Sequence, residues 1–161
     1  MKVLNSSGEE KYDMTPDNAS DTAAGIIELA VQSEMETATD VARAVTPGRT
    51  QYHPGVAKAW ALWTVAGGAV TTVGTHNVSS LTDAGTGLVT VNFTTAFSAA
   101  TYAVGSAAGV NSSGAGTEYC TCSFRNGVAP TTTALAIQTV RIGTQDSQDT
   151  AIGSIAAYGD Q

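Results

Sequence analysis

Two cysteines, two histidines and a scatter of carboxylates are the side chains of this 161-residue chain that could do chemistry. Cys120 and Cys122 are two apart in a strand-like run and should face the same side, where a disulfide would be strained. Two thiolates leave a tetrahedral zinc site half built, and His53 and His76 lie far away in sequence. The two cysteines therefore read as small buried side chains. His53 sits in a His-Pro-Gly turn and His76 near a strand end, and no Gly-x-Ser-x-Gly elbow surrounds a serine. The carboxylates Asp83, Glu118, Asp146 and Asp149 are scattered, whereas a glycosidase needs a pair about 5–10 Å apart. The glycine run GTGLVT is too short and too closely flanked by strand residues to cradle a phosphate. We expect no catalytic residue, no metal and no cofactor, and hence not an enzyme.

Binding is the other chemistry to weigh. Trp60 and Trp63, on one strand, fall on opposite faces. Either one stacks on a sugar or a neighbouring chain while the other sits in the core, or both pack internally or between subunits. The polar stretches Asn111–Gly116 and Gln145–Thr150 are the natural ligand loops, because binding groups tend to sit on loops carried by a rigid scaffold. Asn-x-Ser/Thr matches at Asn18, Asn77, Asn92 and Asn111 are expected by chance in a chain so rich in Ser and Thr.

Those loops need a scaffold, and the composition points to β structure. The chain has 17 Gly, only 13% charged residues and many β-branched or small ones. Candidate strands are 57–65, 69–75, 87–94, 101–108, 117–125, 134–142 and 150–158. In 87–94, Val89, Val91 and Phe93 alternate with Thr90 and Asn92, the pattern of a half-buried strand. Turn signals separate the strands: Gly67-Gly68, Asp83 to Gly87, Asn111 to Gly116, and Asn126-Gly127. The expected fold is mainly β, with an antiparallel β-sandwich-like domain over 53–161.

Charge divides the chain differently. Residues 1–40 hold nine acids against two bases, and residues 41–161 hold five of each, so the net −7 lies in the first quarter. There is no basic patch, which argues against nucleic acid as a partner. No apolar run is long enough to span a membrane, and MKVLNSSGEEKYD lacks the apolar stretch of a secretory leader, so synthesis in a cytoplasm is expected. Residues 1–22 read as an extended acidic segment that cannot order itself alone. Val3, Leu4, Tyr12 and Met14 could anchor it on a partner; otherwise it is a solvated tail.

Residues 23–52 read as a strand–helix connector. AGIIELAV (24–31) resembles a short apolar strand. Ser33 followed by Glu36 forms a capping box that starts a helix near Glu34, and Pro47 should end it. Along this helix Met35, Ala38, Ala42 and Val45 recur at spacings of three, four and three, a narrow seam of coiled-coil type. The seam is too short to stand as an isolated helix. It packs either on sister chains or on its own domain. Residues 46–55, with two Pro-containing turns, form the hinge.

Two stretches resemble bacteriophage fibre proteins. GIIELAVQSEMETATDVARAVTP is similar to a short connector repeat of phage tail fibres, in which Arg43, Ala44, Val45, Thr46 and Pro47 match the closing element. HPGVAKAW (53–60) with NVSSLTDAGTGLVTVNFTTAFSAATYAV (77–104) is similar to a β-domain common at the C-terminal ends of fibre and other virion proteins. The resemblance implies a homotrimer located in the virion, made in the cytoplasm of a host bacterium. It also implies a structural role on tail or head and host attachment, for example to a surface glycan. The acidic N-terminal segment would dock on a capsid or tail protein. A capsid decoration protein without receptor binding is the alternative, and a polysaccharide depolymerase is the third reading.

Overall fold

The computed structural model of this chain describes residues 2–4, 10–12, 19, 25–110 and 119–161. The chain divides into two compact units, residues 1–50 and residues 51–161.

The second unit is a β-sandwich of two four-stranded antiparallel sheets. In the first unit, β1 (Lys2–Leu4) pairs with β2 (Glu10–Tyr12), and α1 (Gln32–Thr37) and α2 (Pro47–Thr50) follow. In the second unit the strands are β3 (Ala59–Ala66), β4 (Ala69–His76), β5 (Val78–Gly85), β6 (Leu88–Phe93), β7 (Ala103–Ala108), β8 (Cys120–Phe124), β9 (Ala134–Arg141) and β10 (Ile152–Tyr158). One sheet has the order β4-β3-β10-β7 and the other β5-β6-β9-β8. Each of the seven strands expected from sequence is present. The strand β5 is an addition. Its sequence VSSLTDAG lacks alternation because register shifts at Val78/Ser80 and Asp83/Gly85 break its period of two.

Alternation explains the core. From β3, Ala59, Ala61, Trp63 and Val65 point inward; from β6, Val89, Val91 and Phe93; from β9, Leu135 and Ile137; from β10, Ile155 and Ala157. Trp63, Leu135, Ile137 and Val91 are the largest side chains fully removed from water. Burying each such side chain contributes roughly 1.5–3 kcal/mol, which is why the period-2 pattern fixes the register.

The connections follow from backbone chemistry. Gly67 and Gly68 fill the two-residue turn between β3 and β4, both at positive φ, as a tight hairpin requires. Between β4 and β5 only Asn77 intervenes, and there the chain leaves one sheet for the other. Asn77 adopts φ 51°, a conformation that Asn tolerates better than most residues. Its side chain holds the β6–β7 loop from both sides: Nδ2 donates to the Thr95 carbonyl (3.1 Å) and Oδ1 accepts from the Thr95 amide (2.7 Å). At the same end, Phe93, Phe97 and Tyr102 form a cluster of rings whose centroids lie 4.3–5.7 Å apart. The sheets also approach each other along their sides, β4 beside β5 and β7 beside β8, and Ser106 Oγ donates to the Cys122 carbonyl at 3.0 Å.

The first unit departs from the expected connector in three ways. Residues 25–31 are not a continuous strand; they carry isolated bridges at Ile26 and Leu29, the latter parallel to Ala44. The helix begins at Gln32 and stops at Thr37 rather than running to Pro47. Its cap lies two residues earlier than expected: Glu34 Oε2 accepts the Val31 amide at 2.9 Å. The helix ends because Ala38 turns left-handed (φ 52°) and the Asp40 carboxylate takes the amides of Ala42 (2.8 Å) and Arg43 (3.0 Å), a local bond that competes with helix propagation. Pro47 opens α2 instead of closing α1, as proline suits a first helical position. Residues 2–4 and 10–12 also form a small ribbon, where an unpaired segment was expected.

Candidate functional site

Three surfaces carry the residues singled out from sequence. The first is the end of the sandwich opposite the point where the chain enters it. The pairing places Ala59, Tyr158, Ala103, Val78 and Ala134 toward the entry end. The β3–β4 and β5–β6 turns and the β9–β10 loop therefore gather at the far end. The loop Gln145–Thr150 lies there, whereas Asn111–Gly116 lies outside the described residues.

Side chains of β9 fix the loop between β9 and β10. Thr139 Oγ1 donates to the Gln148 carbonyl (2.6 Å), and the Gln148 amide donates to the Thr139 carbonyl (3.0 Å). Gln138 Nε2 donates to Ser147 Oγ (3.0 Å), and Arg141 Nη2 donates to Gln148 Oε1 (3.3 Å). The β5–β6 turn is fastened to the same loop, since Asp149 Oδ1 accepts the Gly87 amide at 2.7 Å. A Cβ on Gly87 would come within 2.6 Å of the Gln148 amide nitrogen and the Thr139 carbonyl, so only glycine fits. Tyr119 and Ile142 are exposed beside this loop and are joined by a backbone bond, Ile142 amide to Tyr119 carbonyl, at 2.9 Å. The result is a hydrogen-bonded, polar loop end beside the exposed apolar side chains of Val110, Tyr119 and Ile142.

The candidate catalytic groups that are described are engaged in local structure. The Asp83 carboxylate accepts the Gly85 amide (2.9 Å) in its own turn, and Asp149 holds Gly87, so both serve loop geometry. Glu118 lies outside the described residues. His53 Nδ1 accepts the Gly55 amide at 3.1 Å, closing the His-Pro-Gly turn. Cys120 is buried and Cys122 half-buried, and no disulfide joins them. Burial pushes the Cys122 thiol up to about 11, against a smaller opposing effect of Ser106, so near neutral pH it is a thiol rather than a nucleophilic thiolate. Among the described residues no three of His, Cys, Asp and Glu gather as metal ligands, and no helix is long and apolar enough to cross a membrane.

The second surface is the outside of the sheet β4-β3-β10-β7, which sequence reasoning reached only through Trp60. Trp60 and Trp63 do fall on opposite faces: Trp63 is in the core and Trp60 is 41% exposed. Outward residues form rows across the sheet. His76, Trp60, Ala156 and Gly105 make one row; Gly74, Leu62, Ser154 and Ala107 make the next. Thr71, Thr64 and Ile152 make a third. The four strands contain no Asp, Glu, Lys or Arg. The outside of the other sheet is hydroxyl- and amide-rich, and Asn92 Nδ2 there lies 3.0 Å from both Ser80 Oγ and Thr82 Oγ1.

The third surface belongs to the first unit. Of the expected seam, Met35 is on α1 and buried, Ala38 is the left-handed cap, and Ala42 and Val45 lie in the non-helical run beyond it, exposed. A continuous helical stripe is therefore corrected, because the helix is only six residues long. A feature missed in the sequence replaces it. Arg43 contacts three acids: Nε lies 3.2 Å from Glu28, Nη1 lies 3.2 Å from Glu34, and Nη1 also pairs with Asp40. The Ala42 amide, then the Arg43 guanidinium, holds the Asp40 carboxyl below its usual range, and Glu28 and Asp40 hold the guanidinium in its charged form. Arg43 thus fastens the segment before α1 to the segment after it, with Ala30 amide to Ala44 carbonyl (2.9 Å) and Ala44 amide to Glu28 carbonyl (3.0 Å) alongside. Around this tie Ile26, Ile27, Leu29, Val31, Val41 and Val45 are all exposed. Of the expected docking anchors, Val3, Leu4 and Tyr12 lie in the β1–β2 ribbon, opposite Lys11, Glu10 and Lys2, and Met14 lies outside the described residues.

No family model, curated protein or solved structure matches this chain.

Proposed function

We propose that this chain is a bacteriophage virion structural protein: a short homotrimeric fibre or spike, on tail or head, that contributes to host-surface attachment. The observation that carries this reading is the set of aliphatic side chains exposed around the Arg43 tie. Leu29 is 56% exposed and Val41 is 100% exposed in the single chain. A segment that fixes its backbone with ion pairs yet leaves its aliphatic side chains in water is suited to closing on copies of itself, because apolar burial drives such association. In this reading residues 1–22 dock on a capsid or tail protein, 23–52 join the three copies, and the hydrogen-bonded loop end of the sandwich meets the host, for example at a surface glycan. Attachment then works by avidity. Several weak sites on one particle give durable binding without a tight single site.

Light scattering on the full chain tests the assembly. A mass of three chains is expected, falling when Leu29 and Val41 are both changed to Ser. A monomer at full length rejects the free-standing fibre and favours a decoration protein that assembles only on the capsid. Binding of the purified trimer to host cells, lost after changes in the 142–150 loop, tests attachment.

A further inference from the structure

We propose that the turn between β8 and β9 is a site of self-modification, where the Gly127 amide nitrogen displaces ammonia from the Asn126 carboxamide and water opens the cyclic imide to aspartate or isoaspartate.

The attacking nitrogen must carry little bulk, and its peptide must rotate until it faces the carboxamide carbon. Glycine suits both needs, having no Cβ and the widest backbone freedom. The structure supplies the rest. Arg125, Asn126, Gly127 and Val128 form a turn closed by the Val128 amide on the Arg125 carbonyl at 3.2 Å, with Gly127 at φ 73° in the third position. Asn126 and Gly127 are exposed, and a Cβ built on Gly127 would meet nothing within 4 Å.

The base of the turn is fastened, since the Arg125 amide donates to the Ala136 carbonyl (3.0 Å) and the Asn126 amide to Gln138 Oε1 (3.2 Å). The reacting part is not. Among the described residues, neither the Asn126 carboxamide nor the carbonyl and N–H of the Asn126–Gly127 peptide has a hydrogen-bond partner. The rotation is opposed only by the bond across the turn. An exposed neutral hydrogen bond of that kind slows opening by about tenfold or less.

The other described asparagines lack these features. Asn77 precedes the β-branched Val78, and its carboxamide bonds the Thr95 amide (2.7 Å) and carbonyl (3.1 Å). Asn92 precedes Phe93 within β6, and its Nδ2 lies 3.0 Å from both Ser80 Oγ and Thr82 Oγ1.

The chemistry balances without oxidant, cofactor or partner. A bond forms from Gly127 nitrogen to Asn126 Cγ, and the Cγ–Nδ2 bond breaks. The Gly127 amide proton leaves with the amino group as ammonia. Water then adds to one imide carbonyl. Attack at Cγ gives aspartate; attack at the backbone carbon gives isoaspartate, with an extra methylene in the main chain that disturbs the Val128–Arg125 closure. Either route adds a carboxylate to a chain of net charge −7, at the entry end of the sandwich.

Incubation of the full-length protein at mildly alkaline pH, followed by isoelectric focusing and peptide mapping in acid, tests the assignment. A more acidic species is expected to accumulate and to map to the peptide carrying Asn126. Part of it should accept a methyl group from an isoaspartate-specific carboxyl methyltransferase. The rate in the folded chain should stay within about tenfold of that in denaturant. Asn126→Gln, which would have to close a larger ring, should lose this species. An intact Asn126, conversion there only in denaturant, or conversion at Asn77 or Asn92 ahead of Asn126 overturns the proposal. The wild-type mapping does not depend on whether the variant folds.

Discussion

The Trp63 indole leans across the sheet onto Gly153, its partner on the neighbouring strand, so closely that a Cβ on Gly153 would lie 2.5 Å from the ring. The largest core side chain is therefore accommodated by the absence of one beside it. Gly153→Ala forces either the indole or β10 to move. The expected cost is about 1–3 kcal/mol, typical of overpacking a filled core. Thermal unfolding checks it. An unchanged melting temperature would show that the indole has room to move that the packing denies it.

Tyr102 closes the entry end of the sandwich. Its hydroxyl donates to the Thr131 carbonyl (3.0 Å) and reaches the Ala134 carbonyl (3.2 Å), clasping the β8–β9 loop. Burial raises its phenol from 10.0 to about 12. The folded chain keeps this proton where the unfolded chain loses it. Stability is therefore fully present below pH 10 and declines as pH rises from there through about 12. Tyr102→Phe should cost about 1–2 kcal/mol at neutral pH by orphaning the loop carbonyls, and should flatten the alkaline decline. Denaturant unfolding at neutral and alkaline pH reads both effects.

Ala38 sits at φ 52°, where an L-residue with a Cβ is strained and glycine is the usual helix terminator. Ala38→Gly is expected to stabilise the first unit by up to about 1 kcal/mol, the relief of strain exceeding the entropy that glycine adds to the unfolded chain. Slower amide exchange at Ala38, which bonds the Glu34 carbonyl at 3.0 Å, would register it. Faster exchange would mean that the chain turns there for a reason other than the backbone conformation itself.

How far this was legible in the sequence varies with the kind of residue involved. The strands β3, β6, β9 and β10 were readable because one face of each is buried, and Ala59 to Val65 or Val89 to Phe93 must then alternate. β5 was missed because register shifts at Val78/Ser80 and Asp83/Gly85 break its period of two, so that only Val78 and Leu81, three apart, pack on the core. The helix was overextended because Met35, Ala38, Ala42 and Val45 keep helical spacing, yet the single carboxylate of Asp40 can take two amides and end the helix. Opposite placement of Trp60 and Trp63 follows from strand geometry alone. The uncharged sheet face does not, since Trp60, Gly74, Gly105 and Ala156 come together only through the order β4-β3-β10-β7. Its one sequence trace is that four strands scattered over a hundred residues all lack charge.

Acid should loosen the first unit before it affects the sandwich. Asp40 is held below its ordinary value of 3.8, chiefly by the Ala42 amide and then by the Arg43 guanidinium. A depressed carboxyl stabilises the fold above its unfolded value, and that contribution is lost as pH falls through the lower folded value. Protonation removes the acceptor that turns the chain after α1 and one of the three acids around Arg43, whereas the sandwich core contains no carboxylate. Hydrogen exchange at Ala30 and Ala44, whose amides cross the Arg43 tie, should lose protection as pH falls below the ordinary carboxyl value of 3.8, while the Leu135 and Ile137 amides keep theirs. Arg43→Ala should produce part of this loss at neutral pH and leave a smaller response to acid, because the backbone amides of residues 42 and 43 still hold the Asp40 carboxylate. Equal loss of protection in both units would mean that Arg43 and Asp40 decorate the connector without holding it.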